Sequence, residues 1–339
     1  MPLKYKSNIG DNMVVPISQK EREKSVPQYT AENPKYQLSD IVLAEDVLAD
    51  LKNAIAFDKY KELLMNEWGM RKVYPERRGL LINLYGESGT GKTMAAHAIA
   101  YELGKKIIVV NYAEIESKYV GETSKNLVQL FQTAEEQQAV LLFDEADALL
   151  SKRVTNMTTS NDVSVNQTKS VLLNILNDFS GIAVFTTNFI SNFDFAFMRR
   201  IPFQIRFDLP GREQRKKIWE HYLLCGLPEQ CDIDFLSQKY EGISGSDIAN
   251  CVWLAALKTL SDQKGTLDQE CVCQAIEKII QSKKDHAMPT TDENIKVTVR
   301  DVDEEYALKQ QKGKKYDSNS ITCSGSNSSR SRNYCNVLE

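Results

Sequence analysis

The chain lacks any run approaching the roughly 18 uninterrupted apolar residues that a membrane-spanning helix needs, so no membrane span is expected. Met1 to Lys20 contain no apolar stretch of the kind a secretory leader requires, which argues against export. There is no C-x-x-C pair among the seven cysteines (Cys225, Cys231, Cys251, Cys271, Cys273, Cys323 and Cys335), and Cys271 and Cys273 stand too close for a usual zinc knuckle. Three scattered histidines make no ligand set, so the thiols read as reduced side chains of a cytoplasmic protein. No H-E-x-x-H metalloprotease motif and no internal repeat occur. Neither sign of charge dominates: 42 Lys+Arg against 46 Asp+Glu leave a net charge of -4. That balance gives no reason to expect wholesale binding to nucleic acid or anionic lipid, and basic residues cluster only modestly, at Arg212 to Lys217 and Lys312 to Lys315.

What is present suits a folded protein, since 339 residues at 42% hydrophobic can bury the cores of two domains. Met1 to Leu38 are polar, hold Pro16, Pro27 and Pro34, show no sustained period and read as a mobile N-terminal arm. From Ser39 the pattern changes, and Ile41, Val42, Leu43, Val47, Leu48, Leu51 and Ile55 suit an amphipathic helix with an apolar lead-in. Four short apolar runs follow, Leu80 to Tyr85, Ile107 to Val110, Ala139 to Phe143 and Ile182 to Thr187. Their near-continuous apolar character fits parallel strands covered on both faces. Lys92 to Leu103 and Ser124 to Ala134 read as helices between them, so residues 39–209 are expected to be an α/β doubly wound layer. After Pro210 and Gly211 the strands are expected to stop. Glu213 to Leu224, Ser246 to Leu260 and Leu267 to Gln281 have helical periodicity, with capping boxes at Ser244/Asp247 and Thr266/Gln269. Residues 210–286 thus read as a small all-helical domain. The tail 287–339 ends in a Ser/Asn/Gly-rich stretch that reads as largely disordered.

Gly86, Glu87, Ser88, Gly89, Thr90, Gly91, Lys92 and Thr93 match G-x-x-x-x-G-K-[ST], with a strand running in and a helix leaving. The glycines allow a nest of backbone N–H groups around a β-phosphate at the positive end of the helix dipole. Lys92 can reach the β- and γ-phosphates, and the Thr93 hydroxyl can hold Mg2+. The run Val140 to Glu145 is a buried strand ending in two acids. Asp144 would order Mg2+ through its water shell and Glu145 would polarise an attacking water. Asn188, at the tip of the next strand, could bond a γ-phosphate and that water. Arg199 and Arg200 follow closely, either a solvated pair or a source of positive charge for a neighbour's phosphoryl group.

With these elements in this order the chain resembles the AAA family of ATPases over roughly Ser39 to His286. The run Glu114 to Thr123 is similar to the family's first pore loop, whose aromatic–aliphatic–glycine triplet would here be Tyr119, Val120 and Gly121. Gly242 to Asp247 resemble the lid signature beside the nucleotide, and Asp40, Ile41 and Val42 resemble the segment that packs on the adenine. The resemblance therefore implies nucleotide contacts from Ile41, Met94, Gly245 and Ser246 as well as from the glycine-rich loop. It makes Asn111 the residue that orients the catalytic glutamate between turnovers, Asn188 the γ-phosphate sensor, and Arg200, with Arg199 as runner-up, the finger. Many members carry a second arginine three positions beyond the first, but Phe203 stands there.

The expectation is a Mg-ATP-dependent hydrolase forming a hexameric ring, whose client is a protein gripped by the Tyr119 loops and chosen directly or through an adaptor. Two alternatives stay open: a nucleic-acid-dependent motor or clamp-loader relative, and an assembly scaffold gated by ATP with little hydrolysis. Tyr119 reads either as that grip or as an ordinary surface tyrosine. Lys152 to Asn166, long, polar and free of glycine, reads as a second pore loop or simply as a flexible one.

Overall fold

The computed structural model describes residues 29–75, 78–111, 122–153, 160–188, 193–224 and 226–286. Its centre is a parallel sheet of β1 (Leu80–Gly86), β2 (Ile107–Asn111), β3 (Val140–Asp144), β4 (Ile182–Thr187) and β5 (Phe203–Phe207), ordered β2-β3-β4-β1-β5. The first four strands match the apolar runs. The fifth is an addition: β5 alternates in burial at an edge, so Phe203 to Phe207 carry no continuous apolar run to announce it.

Because side chains alternate across a strand, the sheet divides its apolar residues between two faces. Leu80, Ile82, Leu84, Val140, Leu142, Ile182 and Val184 pack against α1 (Glu45–Glu62) and α2 (Lys92–Glu102). Ala95, Ala96, Ile99 and Ala100 of α2 are fully buried there, and their small side chains let that helix lie close to the sheet. The opposite face places Val110, Leu141, Phe143, Ala183 and Phe185 against α3 (Glu122–Glu136) and α5 (Ser160–Asp178). Phe143 and Phe185 stack at 5.0 Å with planes 6° apart, and Phe131 of α3 meets Phe179 edge-on at 4.8 Å.

Two short helices, α4 (Asp147–Leu150) and α6 (Phe195–Met198), lie beyond the strand ends. The stretch read as a loop from Lys152 to Asn166 is helical from Ser160 onward. Its polar residues begin α5, whose apolar residues lie further along, at Leu172, Leu173 and Leu176. Lys169 of α5 is buried and donates to Ser151 O at 2.7 Å, Ser151 Oγ at 2.8 Å and Lys152 O at 3.2 Å, closing the end of α4. Burial lowers its pKa from the usual lysine value.

A third core follows residue 210. It joins Trp219 and Leu223 of α7 (Arg212–Leu223), Leu236 of α8 (Ile233–Lys239), Ile248 and Val252 of α9 (Gly245–Ser261), and Val272 and Ile276 of α10 (Gln269–His286). Arg215 is buried and ties α7 to α8 through Ser237 O at 2.9 Å and to Pro210 O at 2.8 Å. Strands do not stop at Pro210, however: β6 (Glu229–Gln230) and β7 (Leu267–Asp268) form a two-residue parallel ladder, too short to leave a periodic signal. That ladder also moves the start of α10. Asp268 rather than Thr266 caps it, accepting the Cys271 N–H at 2.7 Å, while Gln269 turns away to accept the Asp232 N–H at 2.9 Å.

The arm read as mobile up to Leu38 is docked from residue 29. Glu32 exchanges both backbone hydrogen bonds with Ile107 at the free edge of β2, at 2.8 and 2.9 Å. The buried His97 of α2 accepts the Lys35 N–H on Nδ1 at 3.3 Å, and its ring meets Tyr36 edge-on at 5.9 Å. A polar strand can cover a sheet edge through its backbone alone, which is why hydropathy misses it. Residues 1–28 and 287–339 lie outside the described residues.

Two outcomes test this packing. Phe143→Ala should cost about 3–5 kcal/mol in a urea melt by opening the stacked aromatic core. Burial, then the nearby Lys35, holds the His97 pKa below its ordinary value of 6.5. The unfolded chain therefore takes up this proton first, so stability should be full above pH 6.5 and fall as the pH drops below it. Urea melts across pH 5–8 should show that loss flattened in His97→Gln.

Candidate functional site

The glycine-rich loop leaves β1 at the carboxyl edge of the sheet, between neighbours β4 and β5. Gly86, Gly89 and Gly91 have φ of 137, 77 and 98°, conformations that L-residues with side chains avoid. A Cβ on Gly86 would stand 2.0 Å from Phe207 O, and one on Gly89 would stand 2.7 Å from Ser244 Oγ. Glycine is thus required by backbone angle and by clearance at Gly86 and Gly89, and by angle at Gly91.

Lys92 opens α2 and folds its side chain back into the loop, 7% exposed, donating to Gly86 O at 2.9 Å and Glu87 O at 2.7 Å. Burial lowers its pKa, opposed by the carboxylates of Asp147, Asp144, Glu87 and Glu145. Thr93, the next residue, donates Oγ1 to Asp144 Oδ1 across 2.9 Å. A hydroxyl and a carboxylate in contact, both hard oxygen donors beside a nest of backbone amides, are the ligand chemistry that suits Mg2+ carrying phosphate. Glu145 follows with φ of 52°, a positive value for a residue that has a side chain. Asn188 follows the last residue of β4, and its backbone N–H donates to Asp147 Oδ1 at 3.0 Å. Asn111 ends β2 in register with Asp144, although its side chain, like Tyr119, Val120 and Gly121, lies outside the described residues.

Beside the loop a small pocket gathers Ile41, Val42, Gly91, Met94, Gly245 and Ser246, the residues that the resemblance brings to the nucleotide. Ile218, His221 and Tyr222 of α7 line it too, and no motif marks them. The helical periodicity of α7 was visible in the sequence, but which helix would back the pocket was not. Ser246 N–H donates to Gly89 O at 3.2 Å, a direct bond from the third core to the loop. The turn before α9 is held by Asp247, 5% exposed, whose Oδ2 accepts from Ser244 N at 2.7 Å, Ser244 Oγ at 2.8 Å and Lys283 Nζ at 2.6 Å. The Ser244/Asp247 capping box is therefore present as read.

Arg199 and Arg200 stand elsewhere. Both line a groove with Gly79, the residue that precedes β1, whereas the loop leaves the other end of that strand. Seven residues of strand, about 20 Å, run from the groove end of β1 to the loop. Arg200 is fixed by Asn177 Oδ1 at 2.7 Å and Ala196 O at 3.0 Å, while Arg199 is exposed.

A family profile described as "ATPase family associated with various cellular activities (AAA)" matches residues 82–209. Cell division protein C of Sulfolobus acidocaldarius is 32% identical over 242 residues, 68% of this chain and 62% of that protein. A proteasome-activating nucleotidase of Saccharolobus islandicus is 30% identical over 278 residues, 80% of this chain and 69% of that protein. The 26S proteasome regulatory subunit 8 homolog of Schizosaccharomyces pombe is 32% identical over 214 residues, 61% of this chain and 53% of that protein. The chain belongs to the AAA family of ATPases.

The buried Asp247 gives the site a stability test. Asp247→Ala leaves Ser244 N–H without its partner and should cost about 1–3 kcal/mol in a urea melt while weakening nucleotide binding. Lys283→Ala removes only the exposed end of the ion pair and should cost less than about 1 kcal/mol.

Proposed function

We propose that the chain hydrolyses Mg-ATP as one subunit of a cytoplasmic ring, a homo-hexamer, and uses the cycle to remodel a protein client. The observation that carries this reading is the convergence of Lys92, Thr93, Asp144 and Glu145 at one strand edge, with Arg199 and Arg200 at the far end of β1. Residues 39–209 act as the ATPase domain and 210–286 as its lid. Mg2+, held by Thr93 and Asp144, would neutralise phosphate charge. Lys92 exchanges the carbonyls of Gly86 and Glu87 for phosphate oxygens, and its ammonium stabilises charge on the group in transfer. Glu145 takes the proton of the attacking water, and Asn188 orients that water against the γ-phosphate. Ile41, Met94, Gly245 and Ser246 enclose the base.

An arginine in a groove at the opposite end of β1 from its own loop would act on another subunit's phosphate, which is the argument for a ring. Arg200, already fixed by Asn177, is the preferred finger and Arg199 the second choice. Two of the relatives are named for the proteasome, which supports a protein client, gripped by Tyr119 and Val120 and released as subunits turn over.

Glu145→Gln should lower steady-state ATP turnover at least about 100-fold while retaining nucleotide and the assembled ring by native mass spectrometry. A wild type that assembles with ATP yet releases no phosphate would overturn hydrolysis in favour of a scaffold. Lys92→Ala and Arg200→Ala should each be inactive alone and regain part of the activity when mixed, because mixed rings contain interfaces with an intact loop and an intact finger. Mixtures as inactive as their components would exclude the arrangement in trans.

A further inference from the structure

Thr186, which belongs to none of the motifs, meets both Asp144 and Glu145. Thr186 is 2% exposed and ends the apolar run of β4. Alternation puts Ile182 and Val184 on the α2 face, so Thr186 falls on that face too. Asp144 follows Phe143, which pairs with Phe185, so Thr186 and Asp144 are neighbours across two strands. Thr186 Oγ1 donates to Asp144 Oδ1 at 2.6 Å and accepts the Glu145 N–H at 2.9 Å. The Thr186 carbonyl accepts the Ala146 N–H at 2.8 Å. One residue thus engages three consecutive residues of the acidic turn.

The polarity of these bonds is fixed by chemistry. A threonine hydroxyl has one proton, which goes to the carboxylate, and a lone pair, which meets the amide. Valine has nearly the same shape and neither function. Glu145 meanwhile sits at φ of 52°, from which it would relax if its N–H lost the acceptor. Thr93 donates to the same Oδ1, so Thr186 remains as a hydroxyl on Asp144 when Thr93 turns to other work.

We infer that Thr186 is the positioning residue of the acidic turn: its hydroxyl fixes the Glu145 backbone in its strained conformation and aims the carboxylate, while holding Asp144 in place. This rests on the reading of Glu145 as the base, and the test separates the two. Full-length wild type, Thr186→Val and Thr186→Ser would be compared for kcat and KM on ATP, equilibrium binding of a fluorescent ADP analogue, and amide hydrogen exchange of the peptide containing Glu145. Valine should lower kcat about 10- to 100-fold, the loss expected for one hydrogen bond to a positioned group, with analogue binding retained. Exchange at Glu145 should quicken in the valine variant, and serine should restore both the turnover and the protection. Wild-type kcat in Thr186→Val would overturn the inference, as would equal losses of kcat and analogue binding that serine does not rescue. A wild type that hydrolyses no ATP would overturn the base reading instead, and the exchange comparison would then decide alone whether Thr186 holds the turn.

Discussion

A carboxylate at the end of a buried apolar strand is costly unless polar partners meet it there, and Asp144 imposes that requirement on its neighbours. Its partners come from two different elements, Thr93 at the start of α2 and Thr186 in the last two residues of β4. For Thr93 to arrive, α2 must lie close against the sheet, and the buried alanines of that helix permit the approach. For Thr186 to arrive, β4 must sit beside β3 in the register that pairs Phe143 with Phe185. The stacked aromatic pair on one face and the carboxylate on the other are therefore set by the same register, because a slip of one residue would exchange the faces.

The loop of β1 meets a second constraint from the helical core. Gly89 lies so near Ser244 that a methyl group would collide, and Ser246 donates to Gly89 O. The turn preceding α9 thus rests against the backbone that would surround a phosphate. Asp247 holds that turn from inside, and Lys283 reaches it from α10, so the loop is linked by hydrogen bonds through one turn to the last described helix. A change in the loop and a change in the helical core are consequently coupled mechanically, over contacts of a few ångströms. Further along α2, His97 joins the same helix to the docked N-terminal segment.

Much of this was legible beforehand, and the misses share a cause. Strands buried on both faces advertise themselves as apolar runs, and the Gly86 to Thr93 spacing marks a phosphate loop because glycine suits the positive angles at Gly86, Gly89 and Gly91 and, at Gly86, the close approach to Phe207. Elements held by backbone or by isolated polar contacts leave no such mark. Residues 29–38 dock through Glu32 and Ile107, β6 and β7 are two residues each, and the polar start of α5 reads as a loop until its apolar end is placed. Thr266 looked like a cap because its spacing to Gln269 fitted, but the β7 pairing shifted the helix start to Asp268. Thr186 could have been found, since the alternation Ile182, Val184, Thr186 places a hydroxyl on the face where a buried acid must be satisfied. The pocket residues of α7 could not, because their arrival depends on how the third core packs.

The placement of the arginines bears on how a ring would be controlled. Strand β1 is interior, paired on both sides, with the loop at one end and the arginine groove at the other. A strand so held does not stretch, so the loop at one end and the groove at the other keep their spacing. What can vary is where the neighbour's arginines stand relative to this loop. On the ring reading, a client that shifts one subunit against the next would alter hydrolysis by moving a charge toward or away from the phosphate, with Lys92, Asp144 and Glu145 left as they are. Control would then reside in the contacts around Arg199 and Arg200, and the anchoring of Arg200 by Asn177 makes its guanidinium follow the body of the neighbouring subunit rather than move by itself.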